Sequence, residues 1–194
     1  PFAGHPTLGT CHAWLRHGGV PRHEMVIQEC GLGLVRIRRA EGRLAFSAPD
    51  LLRSGPVDET LLTQIAQGLR IDRAAILEAQ WADNGPGWVA LRLHSRAAVL
   101  ELNPDYALLG DKMIGVVGEW DPKTDGSEAQ FEVRAFAPGA GVKEDPVTGS
   151  LNAALAKWLI DGGHAEAMYI ASQGTALGRT GRVYVEKVGN DIWI

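Results

Sequence analysis

Cysteine is scarce in this chain of 194 residues: Cys11 and Cys30 are its only two. Two thiols with no further ligand at metal spacing form neither a disulfide framework nor a metal site, so a reducing compartment, the cytoplasm, is the default expectation. Long apolar runs are lacking too. None approaches the ~20 residues that span a bilayer, and no secretory-type leader is visible, so no membrane partner is expected. A basic excess is also missing: 19 Lys and Arg stand against 23 Asp and Glu, a net charge of −4, which argues against a nucleic-acid partner. Arg36, Arg38 and Arg39 come nearest to a basic cluster, but Arg36 and Arg38 alternate with Val35 and Ile37, as on a strand with one solvated face. His12, His17, His23, His94 and His164 are scattered and read as surface or structural. Gly31-Leu-Gly33 and Gly139-Ala-Gly141 complete no nucleotide-loop pattern and are assigned to turns.

What is present is a globular composition, 45% hydrophobic and 22% charged, sufficient for one good core or two small ones. Within it lies an internal repeat. His5-Pro-Thr-Leu-Gly-Thr-Cys-His-Ala-Trp-Leu returns, ungapped, as Asp145-Pro-Val-Thr-Gly-Ser-Leu-Asn-Ala-Ala-Leu. The copies are too far apart for a solenoid or propeller, so they mark two related half-domains. In each, Pro suits a helix entry, Gly permits close backbone approach, and the hydroxyl of Thr10 or Ser150 can cap the first turn or bind a ligand. Leu151, Leu155, Trp158 and Leu159 continue the second helix to a stop at Gly162-Gly163; Cys11, Trp14 and Leu15 continue the first to Gly18-Gly19. Two helix starts facing one cleft would hold a carboxylate through free N–H groups and the macrodipole, flanked by His5 and Asp145.

Between the copies, Met25 to Cys30, Leu34 to Arg39 and Arg43 to Ser47 predict an antiparallel meander turning at Glu41-Gly42. The Pro-, Ser- and Gly-rich stretch from Ala48 to Val57 reads as a connector, dividing residues 1–50 from 51–194. Asp58-Glu59 opens a helix through Leu69, and a second short one follows from Asp72. Asp83-Asn-Gly-Pro-Gly87 is a dense turn into a strand from Trp88 to Leu93. Brief helices are expected at Val99 to Leu102 and Asp105 to Leu109. Further strands are expected at Ile114 to Trp120, Phe131 to Phe136, Tyr169 to Ser172, Arg182 to Lys187 and Asp191 to Ile194. The class is α+β: antiparallel strands wrapped about a central helix, twice. Pro1-Phe2 opens inside the first motif and Ile194 closes inside an apolar strand, so trimming of a longer protein is expected.

Pro1-Phe-Ala-Gly-His-Pro-Thr-Leu-Gly-Thr, Asp83-Asn-Gly-Pro-Gly-Trp, Arg134-Ala-Phe with Glu144-Asp-Pro-Val-Thr-Gly-Ser, and Gln173-Gly with Gly178-Arg179 together resemble the PhzF-like isomerases of phenazine biosynthesis. The resemblance implies the diaminopimelate epimerase-like fold, with two pseudo-symmetric halves. It further implies cofactor-free proton transfer on a small carboxylic acid bound between them. His5, beside Gly4, and Asp145 would orient the substrate or relay protons. Gly149 and Ser150, with Thr10 as counterpart in the first copy, would hold the carboxylate. The family's acid/base Glu lies upstream of Gly-His-Pro, and no residue of this chain takes its place.

A true epimerase of this fold places a cysteine at each helix start. Here Thr10 and Ser150 stand there, and a hydroxyl at its ordinary pKa is a poor base, so Cys11 reads as structural. An amino-acid racemase or epimerase with other bases, and a non-catalytic small-acid-binding protein, are the alternatives to the isomerase. No metal is expected, and homodimerisation stays open.

Overall fold

The computed structural model describes residues 2–40 and 42–194. A helix, α1 (Gly4–Arg16), leads into β1 (Met25–Cys30), β2 (Gly33–Ala40) and β3 (Arg43–Phe46). These strands form an antiparallel three-stranded sheet in chain order. Ala40 pairs with Arg43 across the expected turn, whose Glu41 lies outside the described residues. After them come β4 (Arg53–Pro56), α2 (Glu59–Leu69), β5 (Glu78–Asp83), β6 (Trp88–Leu93), α3 (Arg96–Leu100), α4 (Tyr106–Leu109) and β7 (Met113–Glu119). The chain continues with β8 (Phe131–Ala137), β9 (Val142–Asp145), α5 (Gly149–Asp161), β10 (Met168–Gln173), β11 (Gly181–Val188) and β12 (Asp191–Trp193). β4 to β12 form one sheet in the order β12-β11-β10-β8-β7-β6-β5-β4, with β9 also on β8.

The expected α+β class holds. Its strand pairing is less uniform than the meander reading suggests, because β6–β7 and β8–β10 run parallel. The β6–β7 connection carries α3 and α4, and the β8–β10 connection carries α5, as parallel crossovers require. Three further differences have local causes. β4 lies inside the stretch read as a connector, since its Gly and Pro are tolerated on a sheet edge. β5 and β9 were not expected: their half-polar sequences gain strand structure from β6 and β8 beside them. α1 begins at Gly4, so Thr10 lies well inside the helix and not at its start.

α5 is buried on nearly every side, from Ser150 through Ala156 and at Leu159. Ala153, Ala154 and Ala156 make that possible, because small side chains let neighbours close in all round. Gly115 on β7 serves the same fit: a Cβ there would stand 2.2 Å from Leu151 Cδ1. Alternation along β6 then divides two cores. Trp88 and Ala90 face the core around α5, together with Phe2, Cys11, Ile37 and Phe46. Val89, Leu91 and Leu93 face the core under α2, with Leu62, Ile65, Leu69, Leu109 and Phe136. The first of these cores draws residues from both sides of position 50. Backbone bonds between Phe46 and Ile194, and from Ala48 to Ile192, tie β3 to the chain's last strand.

The basic face of β2 is partly covered. Arg36 makes a two-pronged contact with Asp191, at 2.9 and 2.5 Å, and Arg38 pairs with Glu186. Both guanidiniums lie over the Trp193 ring, 5.6 and 4.6 Å from its centroid. Periodicity identified the face correctly but could not show that β11 and β12 would cover it.

Candidate active site

The two motif helices meet at their first residues. A Cβ on Gly4 would stand 2.8 Å from Gly149 Cα, and a Cβ on Gly149 would stand 2.8 Å from Gly4 Cα. Only two glycines let the backbones approach this closely. Phe46 closes one side, 3.0 Å from the same Gly4 Cβ position. Each helix is 13 residues long and opens on a residue whose side chain makes no capping bond, Ala3 for α1 and Thr148 for α5. Neither has an acidic residue in its first turn. Two positive helix ends therefore face one another without a neutralising carboxylate in those turns. Elsewhere the chain caps conventionally: Asp58, Asp72, Ser95 and Asp105 all accept from the N–H groups of the turns they open.

Thr148 leaves its helix uncapped because its hydroxyl is engaged elsewhere. Oγ1 donates to Asp145 Oδ2 at 2.7 Å and accepts from Gln173 Nε2 at 2.9 Å. Gln173 Oε1 accepts the Thr148 N–H at 2.9 Å and Asn152 Nδ2 at 2.8 Å. The half-buried Asp145 carboxylate is thus held within three residues of the α5 cap. The preceding residue is anchored too: Glu144 forms a buried, bidentate pair with Arg134, at 2.9 and 2.7 Å. Arg134 also donates to the Val99 and Leu102 carbonyls.

Ser150 is gripped from the dense turn. Asp83 Oδ1 accepts the N–H groups of Gly85 and Gly87, each at 2.7 Å. Both glycines have positive φ, 133° and 88°, which the turn requires. So shaped, the turn sends Asn84 Nδ2 to the Ser150 carbonyl at 2.8 Å and Trp88 Nε1 to Ser150 Oγ at 3.1 Å. An indole N–H can only donate, so the Ser150 hydroxyl proton is left for another acceptor.

Of the residues expected from sequence, Gly4, Gly149, Ser150 and Asp145 come together here, with His5 next to Gly4 on the exposed side of α1. Thr10 does not join them. It lines a cavity of about 550 Å³ between α1 and β1, with Cys11, Trp14, Met25 and Ile27. No residue of the second motif lines that cavity, so the junction of the two helix starts is the better candidate site. Burial pushes the Cys11 thiol up, partly opposed by Arg39, as suits a structural cysteine. Asn84, Trp88, Thr148 and Gln173 lie in the motifs that carry the family resemblance, but the sequence alone assigns none of them a role; a polar residue inside an apolar-flanked turn or motif is the available signal.

A family model described as phenazine biosynthesis-like protein, PhzC-PhzF, matches residues 1–192. The chain is 29% identical to antisense-enhancing sequence 1 of Schizosaccharomyces pombe, over 98% of this chain and 67% of that protein. It is 27% identical to the trans-2,3-dihydro-3-hydroxyanthranilate isomerase of Pseudomonas chlororaphis, over 97% of this chain and 66% of that one. An uncharacterized isomerase of Clostridium acetobutylicum is also 27% identical, with coverages of 96% and 67%. The chain thus spans about two thirds of the length of these relatives. The fold is similar to the crystal structure of a PhzF-family phenazine biosynthesis protein from Enterococcus faecalis, with a TM-score of 0.72 at 22% identity over 100% of this chain and 68% of that one. A PhzF-family structure from Bacillus anthracis gives 0.71 at 18% identity, with coverages of 99% and 71%. The chain belongs to the phenazine biosynthesis-like PhzC-PhzF family and, with its isomerase relatives, to the isomerase class.

Proposed function

We propose that the chain seats the carboxylate of a small unsaturated or hydroxylated acid at the junction of α1 and α5, and that it takes part in moving a proton within that acid without a cofactor. The observation that carries this reading is the meeting of two uncapped helix starts at Gly4 and Gly149. An anion there gains from both macrodipoles and from first-turn N–H groups that no side chain caps. Ser150, its acceptor side occupied by Trp88, offers its hydroxyl proton to the same anion. His5 and Asp145 flank the seat and orient the acid or relay its proton, which leaves one carbon and returns to another with no change in oxidation state. The name of the Pseudomonas chlororaphis relative suggests the acid to try first, trans-2,3-dihydro-3-hydroxyanthranilate.

The test pairs calorimetric binding of that acid with deuterium uptake from heavy water. Gly149→Val should abolish binding, and Asp145→Asn should cut uptake by about 10²-fold or more if Asp145 lies in the proton path. Binding unaffected by Gly149→Val would remove the seat from this junction. Uptake unchanged by Asp145→Asn would take Asp145 out of the proton path.

A further inference from the structure

Threonine at a helix start ordinarily accepts an N–H of the first turn, yet Thr148 makes no such bond. The cause lies on β10. Gln173 is fully buried, at 0% exposure, and its amide makes four bonds around the start of α5. Two of them fix which way the amide faces, because Oε1 accepts from both Thr148 N and Asn152 Nδ2. The other end, Nε2, donates to the Asp145 carbonyl and to Thr148 Oγ1, each at 2.9 Å. Turning the amide over would set donor against donor at Thr148 N and Asn152 Nδ2, and acceptor against acceptor at Asp145 O. Thr148 therefore receives a proton from Gln173 on one side and has its own single proton left for Asp145 Oδ2.

We propose that Gln173 is a positioning residue: by holding the Thr148 hydroxyl between itself and Asp145, it keeps the first turn of α5 uncapped and open to a bound carboxylate. The inference rests on the reading of that turn as the carboxylate seat. Without Gln173, the acceptor side of Thr148 Oγ1 is free to take the Ser150 or Leu151 N–H, closing the seat with a cap from the protein itself. The same amide keeps the Asp145 carboxylate turned toward Thr148, so one buried side chain sets both the anion donors and the neighbouring acid.

Benzoate is the probe, titrated calorimetrically into the 194-residue chain. Gln173→Leu should weaken its binding about five- to tenfold, the equilibrium weight of one N-cap bond. Adding Thr148→Ala to that variant should restore binding to the level of Thr148→Ala alone, because no cap can then form. Amide hydrogen exchange provides a second reading. Protection at Ser150 and Leu151 should rise in Gln173→Leu and fall again in the double variant. Should Gln173→Leu not fold, Gln173→Glu replaces it and is read by amide protection alone, since its charge would itself repel benzoate. Weakened binding that the second substitution fails to rescue, or unchanged protection at Ser150 and Leu151, would show that Gln173 only supports the fold. If the unmodified chain binds no benzoate, the carboxylate seat itself fails, while the protection measurement still decides whether Gln173 holds Thr148 off the helix.

Discussion

Gly4 and Gly149, far apart in the chain, touch through their backbones, so that a methyl group on either would lie 2.8 Å from the other's Cα. In isolation, Gly→Ala in a helix gains about 1 kcal/mol. Here that gain meets overpacking against backbone, worth about 1–3 kcal/mol and not relieved by a rotamer change. Gly149→Ala should therefore give no net gain and cost up to about 2 kcal/mol in urea unfolding. A stabilised variant would mean that the two helix starts lie further apart than described.

Ser150 and Trp88 make a testable pair. Ser150→Ala strands a buried indole N–H and should cost about 1–3 kcal/mol. Trp88→Phe removes the donor and, with it, part of the Ser150 penalty. A double-mutant cycle should give a coupling of about 1 kcal/mol, and additive effects would show that the bond contributes nothing.

The Arg134–Glu144 pair is buried at both ends, its side chains only 6% exposed. Glu144→Gln leaves an uncompensated guanidinium inside the protein and should cost about 3–5 kcal/mol in chemical unfolding. Replacing both residues with apolar ones should cost less than this single change. A double variant worse than Glu144→Gln would mean that Arg134 acts mainly through the Val99 and Leu102 carbonyls.

Asp191 bears on acid stability. Its hydrogen bond to Arg36, more than the charge of Arg36, holds the carboxyl below the usual carboxylate range, opposed by some desolvation. A group depressed on folding adds stability above its unfolded pKa, about 3.9, and that stability is lost as pH falls through the folded value. Asp191→Asn should thus lower the urea midpoint at pH 7 and make little difference near pH 2. An equal penalty at both pH values would assign the effect to something other than the ion pair. Both partners are substantially exposed, so the effect at pH 7 should be modest.

Cys11 and Cys30 should react unequally with a thiol reagent. Cys11 is buried and its thiol is pushed up by desolvation, while Cys30 is half-buried. Labelling of the native chain should reach Cys30 first, with Cys11 following only as the protein opens. Fast labelling at Cys11 would reopen the thiol chemistry that the hydroxyls at Thr10 and Ser150 argue against.

The residues of β1, β2, β6, β7 and β8 were legible because apolar alternation or a continuous apolar run survives whatever packs against it. α5 was legible for the same reason, framed by Gly149 and Gly162. α1 was misplaced because the repeat invited both helices to begin at matching positions, whereas the first begins at Gly4, before its Pro. β4, β5 and β9 escaped notice because an edge or half-polar strand is defined by its partner's free N–H and C=O groups, which its own sequence does not contain.

The sequence by itself determined the α+β class and the family resemblance, and it singled out His5, Asp145, Gly149 and Ser150 as candidates, all carried by local spacing and residue type. Only the tertiary structure decided that Gly4 rather than Thr10 meets the second motif, that Trp88 and Gln173 occupy the acceptor sides of the Ser150 and Thr148 hydroxyls, and that Arg36 and Arg38 lie over Trp193. Periodicity records which side of an element is apolar. The direction of a hydroxyl proton, or the partner that covers a charged face, depends on donors and acceptors delivered from distant strands, and those meet only when the sheet has closed around α5.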